Sequence, residues 1–481
     1  MVSVDTMRRN TVGAEARDVK RAGAVLLVSC YELGHQPLNL AFPNAYLRQN
    51  GYSPRIVDTS VDDLEDRDIS AARLVALSVP MHTALRLGTQ LAERVRRVNP
   101  DALICFYGLY AWLNADYLLK NHADFVIGGE FEQPLVILCA AIEHGTWREP
   151  IKGVSSPGHR VDPVIQRTSF PMPVRESLPD LQSYAHLLRG DQAIRAGYTE
   201  TTRGCHHTCL HCPVVPIYHG RFFAIPRTVV LDDIRQQVRQ GAGHITFGDP
   251  DFLNGPTHSL RICRELHGEF PHVTFDMTTR IEHILEHRDL MPEYGELGCV
   301  FAVSAVESVS ETILERIDKG HTKQDVVEAL KVLDDAGIAM RPSLLPFTPW
   351  TTLDDYLELL TFIQENDLIE NVDPVHLSIR LLVPPGSALL GRPETVEWLG
   401  ELDEAGYTYR WSNPDSRLDE LQVAVARAVE AADRDGIEAR DTFERIKMLA
   451  WGMAGLQPPA ISSIPEGTWR RPPRLTESWF C

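Results

Sequence analysis

Short apolar runs at 24–29 (AVLLVS), 74–79, 103–107 and 125–127 punctuate the first third of the chain, with a more mixed run at 53–58. Each is too short for a helix and reads as a strand of a parallel sheet covered on both faces. Helix-compatible stretches lie between them, near 40–50 and over 84–98, and Gly51 and Gly128–Gly129 act as stops. This alternation predicts an α/β fold that begins with a Rossmann-like, doubly wound sheet over 23–150. Sheets of this kind bind ligands beyond the carboxyl ends of their strands. Those ends here carry 30–35, 80–83, 108–110 and 128–132.

A stretch rich in Pro, Ser and Arg over 151–195 has no steady period and reads as a linker. A second alternating series follows. Its strand candidates are 198–201, 244–247, 273–276, 300–303, 340–344 and 375–381. Six strand–helix units are too few for a closed eight-fold barrel, so 196–392 is expected to form a partial (β/α)6 barrel. No strand is expected after Gly391. Leu418, Leu421, Val425, Ala428, Val429 and Ala432 follow helical spacing, which predicts a helical region over 393–450. Pro458–Pro459 and Pro472–Pro473 suggest an extended tail over 451–481. Residues 1–22 are polar and of mixed charge, and are expected to be a disordered leader.

Composition adds bounds. With 44% hydrophobic and 23% charged residues over 481 positions, the chain can bury several ordinary cores. Its net charge of -19 argues against non-specific nucleic-acid binding, which needs a basic face. No apolar run is long enough to span a membrane and no signal-peptide stretch opens the sequence, so a cytoplasmic protein is expected. Of nine cysteines, Cys30, Cys105, Cys139, Cys263, Cys299 and Cys481 are isolated, whereas Cys205, Cys209 and Cys212 sit together. Such a cluster reads as a metal site rather than a disulfide framework.

The segment Thr202-Arg203-Gly204-Cys205-His206-His207-Thr208-Cys209-Leu210-His211-Cys212-Pro213 has C-x3-C-x2-C spacing just after a predicted strand. Three thiolates on one short loop can hold a [4Fe–4S] cluster and leave one iron open to an external amine and carboxylate. They can also hold zinc, with His206, His207 or His211 as fourth ligand. Gly204 allows close backbone approach.

This loop, on the first strand of a six-unit barrel, resembles the signature of the radical S-adenosylmethionine (radical SAM) superfamily, C-x3-C-x-aromatic-C, with His211 at the aromatic position. The resemblance covers about 196–390. With the preceding sheet, the chain resembles the class that joins a cobalamin-binding-type domain to a radical SAM barrel. The resemblance implies a [4Fe–4S] cluster on Cys205, Cys209 and Cys212. It also implies S-adenosylmethionine as cofactor, a flavodoxin- or ferredoxin-type electron donor and a small-molecule substrate. Carried over by position, Gly248, Asp249 and Asp251 match the contact to the methionine amine. Ser304 and Glu307 match the ribose and carboxylate region, and Arg341 a clamp on the cofactor carboxylate. On this carry-over, losing Asp249 weakens cofactor binding and leaves iron content unchanged. Each position also has a structural alternative: a turn or cap for Asp251, a helix cap for Ser304 and Glu307, and a core ion pair for Arg341 and Arg380. The sequence points to no catalytic residue.

Cobalamin domains often carry Asp-x-His-x-x-Gly. Here His35 is present, but Leu33 and Leu38 replace the Asp and the Gly. A ligating histidine needs an acceptor on its other nitrogen, so His35 is expected to be a polar loop residue. Cobalamin stays open as a cofactor bound without a protein ligand. Three longer strings, 78–88, 247–254 and 341–350, resemble the CUAEP/CCAEP-tail radical SAM proteins, which end in Cys, then selenocysteine or Cys, then Ala-Glu-Pro. The chain ends at Cys481, so continuation through a selenocysteine codon is expected. A related tail group includes an enzyme that transfers the 3-amino-3-carboxypropyl group of S-adenosylmethionine to trivalent arsenic, and this resemblance extends the expected acceptors to a metalloid or thiophilic compound. The expectation is therefore an alkyl transferase. Its rivals are a cobalamin-dependent radical SAM methyltransferase and a non-catalytic, zinc-stabilised binding protein.

Overall fold

A computed structural model describes residues 17–459 and 472–476. The expected leader up to residue 16 and the terminal Cys481 lie outside the described residues. The chain divides into two compact units. One comprises residues up to Glu32 together with Pro37–Pro179, and the other comprises Leu33–Gln36 and Asp180 onward.

The first unit is built on a five-stranded parallel sheet. Its strands are β1 (Val25–Ser29), β2 (Arg55–Asp58), β3 (Leu74–Ser78), β4 (Leu103–Tyr107) and β5 (Phe125–Ile127), in the order β2-β1-β3-β4-β5. β1, β3, β4 and β5 are buried at every position, as expected of strands covered on both faces. The helix His82–Val98 packs Ala84, Leu85, Gly88, Ala92 and Val95 inward and leaves Arg96 and Arg97 in its last turn.

The expected linker is not a linker. Val126 and Ser155 exchange backbone hydrogen bonds of 2.9 and 2.8 Å, and Glu130 donates to the Val164 carbonyl at 2.7 Å. Residues 151–164 thus add a return segment beside β5, because the edge of that strand offers free backbone groups. The return depends on Gly129, which sits at φ +72 against Val164.

The second unit holds a seven-stranded sheet of order β13-β12-β11-β10-β7-β6-β16. Its first two strands are β6 (His186–Arg189) and β7 (Gln192–Thr199). A small antiparallel pair, β8 (Thr202–Gly204) and β9 (Phe222–Ala224), frames the cysteine loop. The remaining barrel strands are β10 (His244–Phe247), β11 (Thr274–Thr279), β12 (Cys299–Glu307) and β13 (Ala339–Leu344). β7, β10, β11, β12 and β13 run parallel, and β6 returns antiparallel to β7.

The expected sixth strand is reduced to one bridge, Phe347 to Arg380. Asp373-Pro374 starts a 3-10 turn over Pro374–Leu377 instead, and proline suits the first position of such a turn. Strands also continue past Gly391, contrary to expectation. β14 (Leu399–Asp403) and β15 (Thr408–Trp411) form an antiparallel hairpin. It is anchored by Tyr409 N to Val383 O at 2.8 Å and Trp411 Nε1 to Leu381 O at 2.8 Å. The helices Ser416–Arg434 and Ala439–Met453 follow, the first burying Leu418, Leu421, Val425, Val429 and Ala432 on one face.

Part of the tail is packed rather than free. β16 (Arg474–Leu475) pairs antiparallel with β6, and Thr476 closes the pair by donating from its backbone to His186 O at 2.8 Å.

Gly129→Ala is expected to lower unfolding stability by roughly 2–4 kcal/mol, since it adds left-handed strain and a methyl group that clashes with the Val164 backbone. Denaturant unfolding of the full chain measures this; a loss below about 0.5 kcal/mol would show that the return segment is not fastened there.

Candidate functional site

The cysteine loop leaves the barrel at the carboxyl end of β7, and its first corner is fixed by one buried side chain. Asp249, 1% exposed and just past β10, accepts four hydrogen bonds from the loop. Thr201 donates its backbone N–H at 2.9 Å and its hydroxyl at 2.7 Å. Thr202 donates the same two groups, each at 2.6 Å. Burial pushes the Asp249 carboxyl up to about 6, against the pull of these four donors. Both oxygens are therefore already engaged within the chain. Gly204 then turns the backbone at φ +80 against Arg221 and Tyr218, where a Cβ would collide.

Cys205 and Cys209 are buried, and Cys212 is partly so. Burial pushes the Cys205 thiol up to about 11 and the Cys212 thiol up to about 12. Thiols so placed favour the neutral form until a cation joins them. One cation is built in. Arg280, directly after β11, donates from Nη1 to Cys209 Sγ at 2.6 Å and is braced by Glu282 and the Lys319 carbonyl. Asn254 holds the next peptide, its Oδ1 accepting from His206 N at 3.1 Å, and Leu210 N donates to Ile317 O at 3.0 Å.

The three sulfurs suit a multinuclear centre better than one ion. Among the described residues, the donor group that converges within 4.8 Å is His207, Asp251 and His283, not the cysteine triplet. Nor do the histidines proposed as a fourth zinc ligand have contacts directed at the sulfurs. His206 is exposed, His207 faces His283 at 3.1 Å, and His211 Nε2 stands 3.3 Å from Glu307 Oε1.

Glu307 ends β12 in the left-handed region at φ 61. Its carboxylate also takes Lys319 Nζ at 3.1 Å, a lysine only 3% exposed. Burial works against the ionised form, but Lys319 and His211 overcome it and hold the carboxyl well below its ordinary range. The Ser304 hydroxyl donates to Thr279 O at 2.9 Å and ties β12 to β11. Asp251, fully buried, accepts on Oδ1 from Leu253 N and Thr279 Oγ1, both at 3.1 Å.

Inside the half-barrel lies a cavity of ≈ 210 Å³. Alternate positions of β10 to β13 face it, among them Thr246, Asp276, Val303 and Arg341, with Gly248 and Asp249 at its rim. Gly248 is required there, because any Cβ would overlap the Tyr198 ring. Arg341 pairs with Asp373 at 2.7 Å while its Nη1 is buried without a hydrogen-bond partner. Arg380 lies elsewhere, 3.5 Å over the Trp411 ring and 2.6 Å from Asp419. His35 also lines the cavity, stacked on Tyr198 at 4.7 Å, and burial pushes its imidazole down to about 4. The structure thus brings Gly248, Asp249 and Arg341 to the cavity. His211 and Glu307 meet beside the cysteine loop, and Asp251 turns to the histidines. Sequence reasoning missed Arg280, Asn254, Lys319 and His283, none of which stands in a recognisable spacing.

Residues 199–363 match the radical SAM superfamily. The chain carries a radical SAM domain. That domain implies a [4Fe–4S] cluster and S-adenosylmethionine, and the buried thiols with Arg280 on one sulfur fit the former. The chain is 24% identical over 320 residues to the anaerobic magnesium-protoporphyrin IX monomethyl ester cyclase of Rubrivivax gelatinosus, matching 63% of this chain and 57% of that protein. It is 22% identical to an uncharacterized methyltransferase of Pyrococcus horikoshii, over 69% of this chain and 74% of the relative. In fold it resembles the cobalamin-dependent S-adenosylmethionine radical enzyme OxsB with aqua-cobalamin bound. The TM-score is 0.66 at 18% identity, covering 86% of this chain and 67% of that one. It also resembles the radical S-adenosylmethionine methyltransferase TsrM of Kitasatospora setae, at TM-score 0.56 and 18% identity, covering 71% of each chain.

Two outcomes are expected for the radical SAM domain. Asp249→Asn replaces one acceptor oxygen by a donor facing the Thr201 and Thr202 N–H and O–H groups, so reconstituted protein should retain less iron than wild type, by iron analysis. Iron content equal to wild type, as the sequence-based carry-over expects for loss of Asp249, would leave the four bonds without consequence for the loop. Lys319→Met strips a buried carboxylate of its cation and should cost about 3 kcal/mol at neutral pH. Because Glu307 is held below its ordinary range, that loss should shrink as pH falls below about 4.5, where the carboxyl protonates in the unfolded chain. Chemical denaturation at several pH values reads both.

Proposed function

We propose that this protein reductively cleaves S-adenosylmethionine and transfers an alkyl or methyl group to a small organic acceptor held in the half-barrel. The observation that carries the reading is the buried three-cysteine loop with Arg280 aimed at Cys209 Sγ. Cys205, Cys209 and Cys212 hold the cluster, which when bound supplies the electron that breaks a sulfonium C–S bond. Arg280 spreads positive charge over one thiolate, as a charge-assisted donor does. Asp249 positions the loop through Thr201 and Thr202 rather than by touching the cofactor. His211 and Glu307 form the neighbouring polar wall, and Lys319 keeps Glu307 ionised.

In the cavity, the free Nη1 of Arg341 is suited to a carboxylate of cofactor or acceptor, while Asp276 in the same lining is held by His244 and Thr246. Tyr198 and Leu475 exclude water at its edges. Its described lining mixes apolar side chains, Leu33, Phe301 and Val303 among them, with oxygen and nitrogen groups and has no thiol, which favours an organic acceptor over a soft metalloid. A metalloid would depend on Cys481, outside the described residues.

A second reading, a cobalamin-dependent methyltransferase, is supported by the five-stranded sheet and by the likeness in fold to OxsB, a cobalamin-dependent enzyme. On it cobalamin is bound without a histidine ligand, since His35 is stacked on Tyr198 and has no acceptor at position 33.

Anaerobic reconstitution should load about four irons per chain, and Cys205→Ala, Cys209→Ala and Cys212→Ala should each remove them. Incubation with S-adenosylmethionine and a reductant should release 5′-deoxyadenosine or methylthioadenosine, which report breakage of the adenosyl and of the aminocarboxypropyl C–S bond respectively. Loaded protein that yields neither would overturn the proposal. Cobalamin co-purifying with activity would select the second reading.

A further inference from the structure

His207, Asp251 and His283 belong to three different segments. His207 lies midway between Cys205 and Cys209, Asp251 follows β10, and His283 stands in the helix Ile281–Glu286 after β11. Their donor atoms nevertheless all fall within 4.8 Å of one another. His207 Nε2 is 3.6 Å from Asp251 Oδ2 and 3.1 Å from His283 Nε2. His283 Nδ1 is 2.8 Å from the same Asp251 oxygen.

The contacts do not satisfy one another. Asp251 Oδ2 and His283 Nδ1 are both buried and lack a hydrogen-bond partner, so their 2.8 Å approach is misaligned for a hydrogen bond. A buried carboxylate oxygen whose imidazole contacts are poorly aligned has less than a dry setting demands. The other oxygen, Oδ1, is fixed by Leu253 N and Thr279 Oγ1, which aims Oδ2 at the two imidazoles. This is how metal-ligating carboxylates are oriented by their neighbours.

We propose that His207, Asp251 and His283 form a second metal site, for a divalent first-row transition ion, distinct from the cysteine loop's own centre. Two imidazoles and one carboxylate suit zinc or ferrous iron and do not suit calcium or magnesium, which take oxygen ligands. Ligands about 2.0–2.1 Å from a tetrahedral ion stand roughly 3.3 Å apart; an imidazole meets one ion through one nitrogen, and with His283 Nδ1 as that atom Asp251 Oδ2 lies 2.8 Å from it and 3.6 Å from His207 Nε2. His207 is the half-exposed member and leaves a path for the ion. An ion here ties the middle of the Cys205–Cys209 span to the ends of β10 and β11, so it would stiffen the loop from outside.

Zinc is the probe, because iron in the cysteine centre hides ferrous binding. Full-length protein is reconstituted anaerobically with iron and sulfide, titrated with zinc, and freed of excess by gel filtration. Zinc and iron are then measured together. The expected result is one zinc per chain above an unchanged iron content. His207→Gln and His283→Gln should each weaken zinc binding at least ten-fold while keeping their iron. His207→Gln, on the half-exposed side, serves if the His283 variant does not fold. Zinc that binds only as iron is lost, zinc retained equally in the histidine variants, or no stoichiometric zinc would each overturn the proposal. The last result would leave His283 and Asp251 as an imidazolium–carboxylate pair. Iron loading, read in the same samples, tests the cysteine centre separately.

Discussion

The four hydrogen bonds onto Asp249 hold the site together. A half-barrel delivers its strands to one rim, but a loop that leaves that rim has no ladder to fix its direction. Here the loop is tied by a carboxylate from the adjacent parallel strand, 47 and 48 residues further along the chain. Burying that carboxylate is unfavourable in itself, and desolvation raises its pKa against the pull of the four donors. The cost is accepted at the one place where a small rotation of the backbone would carry three sulfurs out of reach of a common centre. Gly204 and Gly248 follow from the same crowding, since each lies where a side chain would push against the loop or against Tyr198.

Charge around the loop is arranged in layers. Burial raises the Cys205 and Cys212 thiols, and Arg280 donates directly to the Cys209 sulfur. Arg280 is in turn restrained by Glu282 and by the backbone of Lys319, whose ammonium neutralises Glu307. Arg280, Lys319 and Glu307 therefore each have a partner, and the chain of pairs links the end of β11 to the end of β12. A single unpaired member would leave its neighbour charged in a dry setting, so the pairs are coupled more tightly than their separate distances suggest.

Much of this was legible in the sequence, though unevenly. The five strands of the first sheet and the buried face of Ser416–Arg434 follow directly from apolar periodicity. The C-x3-C-x2-C spacing is local and announces its chemistry. The sixth barrel strand was misread because 375–381 has the composition of a strand, while Asp373-Pro374 sets a turn and leaves one bridge. The β14–β15 hairpin was missed because its polar, half-exposed strands give no apolar run. Arg280, Lys319 and His283 were illegible for another reason. Their meaning lies in contacts across 71, 12 and 76 positions, to Cys209, Glu307 and His207, and no spacing rule reports these.

The cavity shows how an incomplete barrel can still be closed. Five parallel strands curl round only part of the circumference, so the missing wall must come from elements that are not strands of the series. Asn371, Asp373 and His376 supply one side from the turn that replaces the expected sixth strand. His35 and Leu33 supply another from a loop far earlier in the chain, and Leu475 a third from β16. These three pieces share no sequence pattern with the barrel. The strands fix Arg341 and Asp276 rigidly, as a binding site requires. The closing turn is tied to that frame, since Asn371 donates to Met340 O and Leu344 N donates to His376 Nδ1, so this side of the cavity's missing wall is positioned by β13 itself.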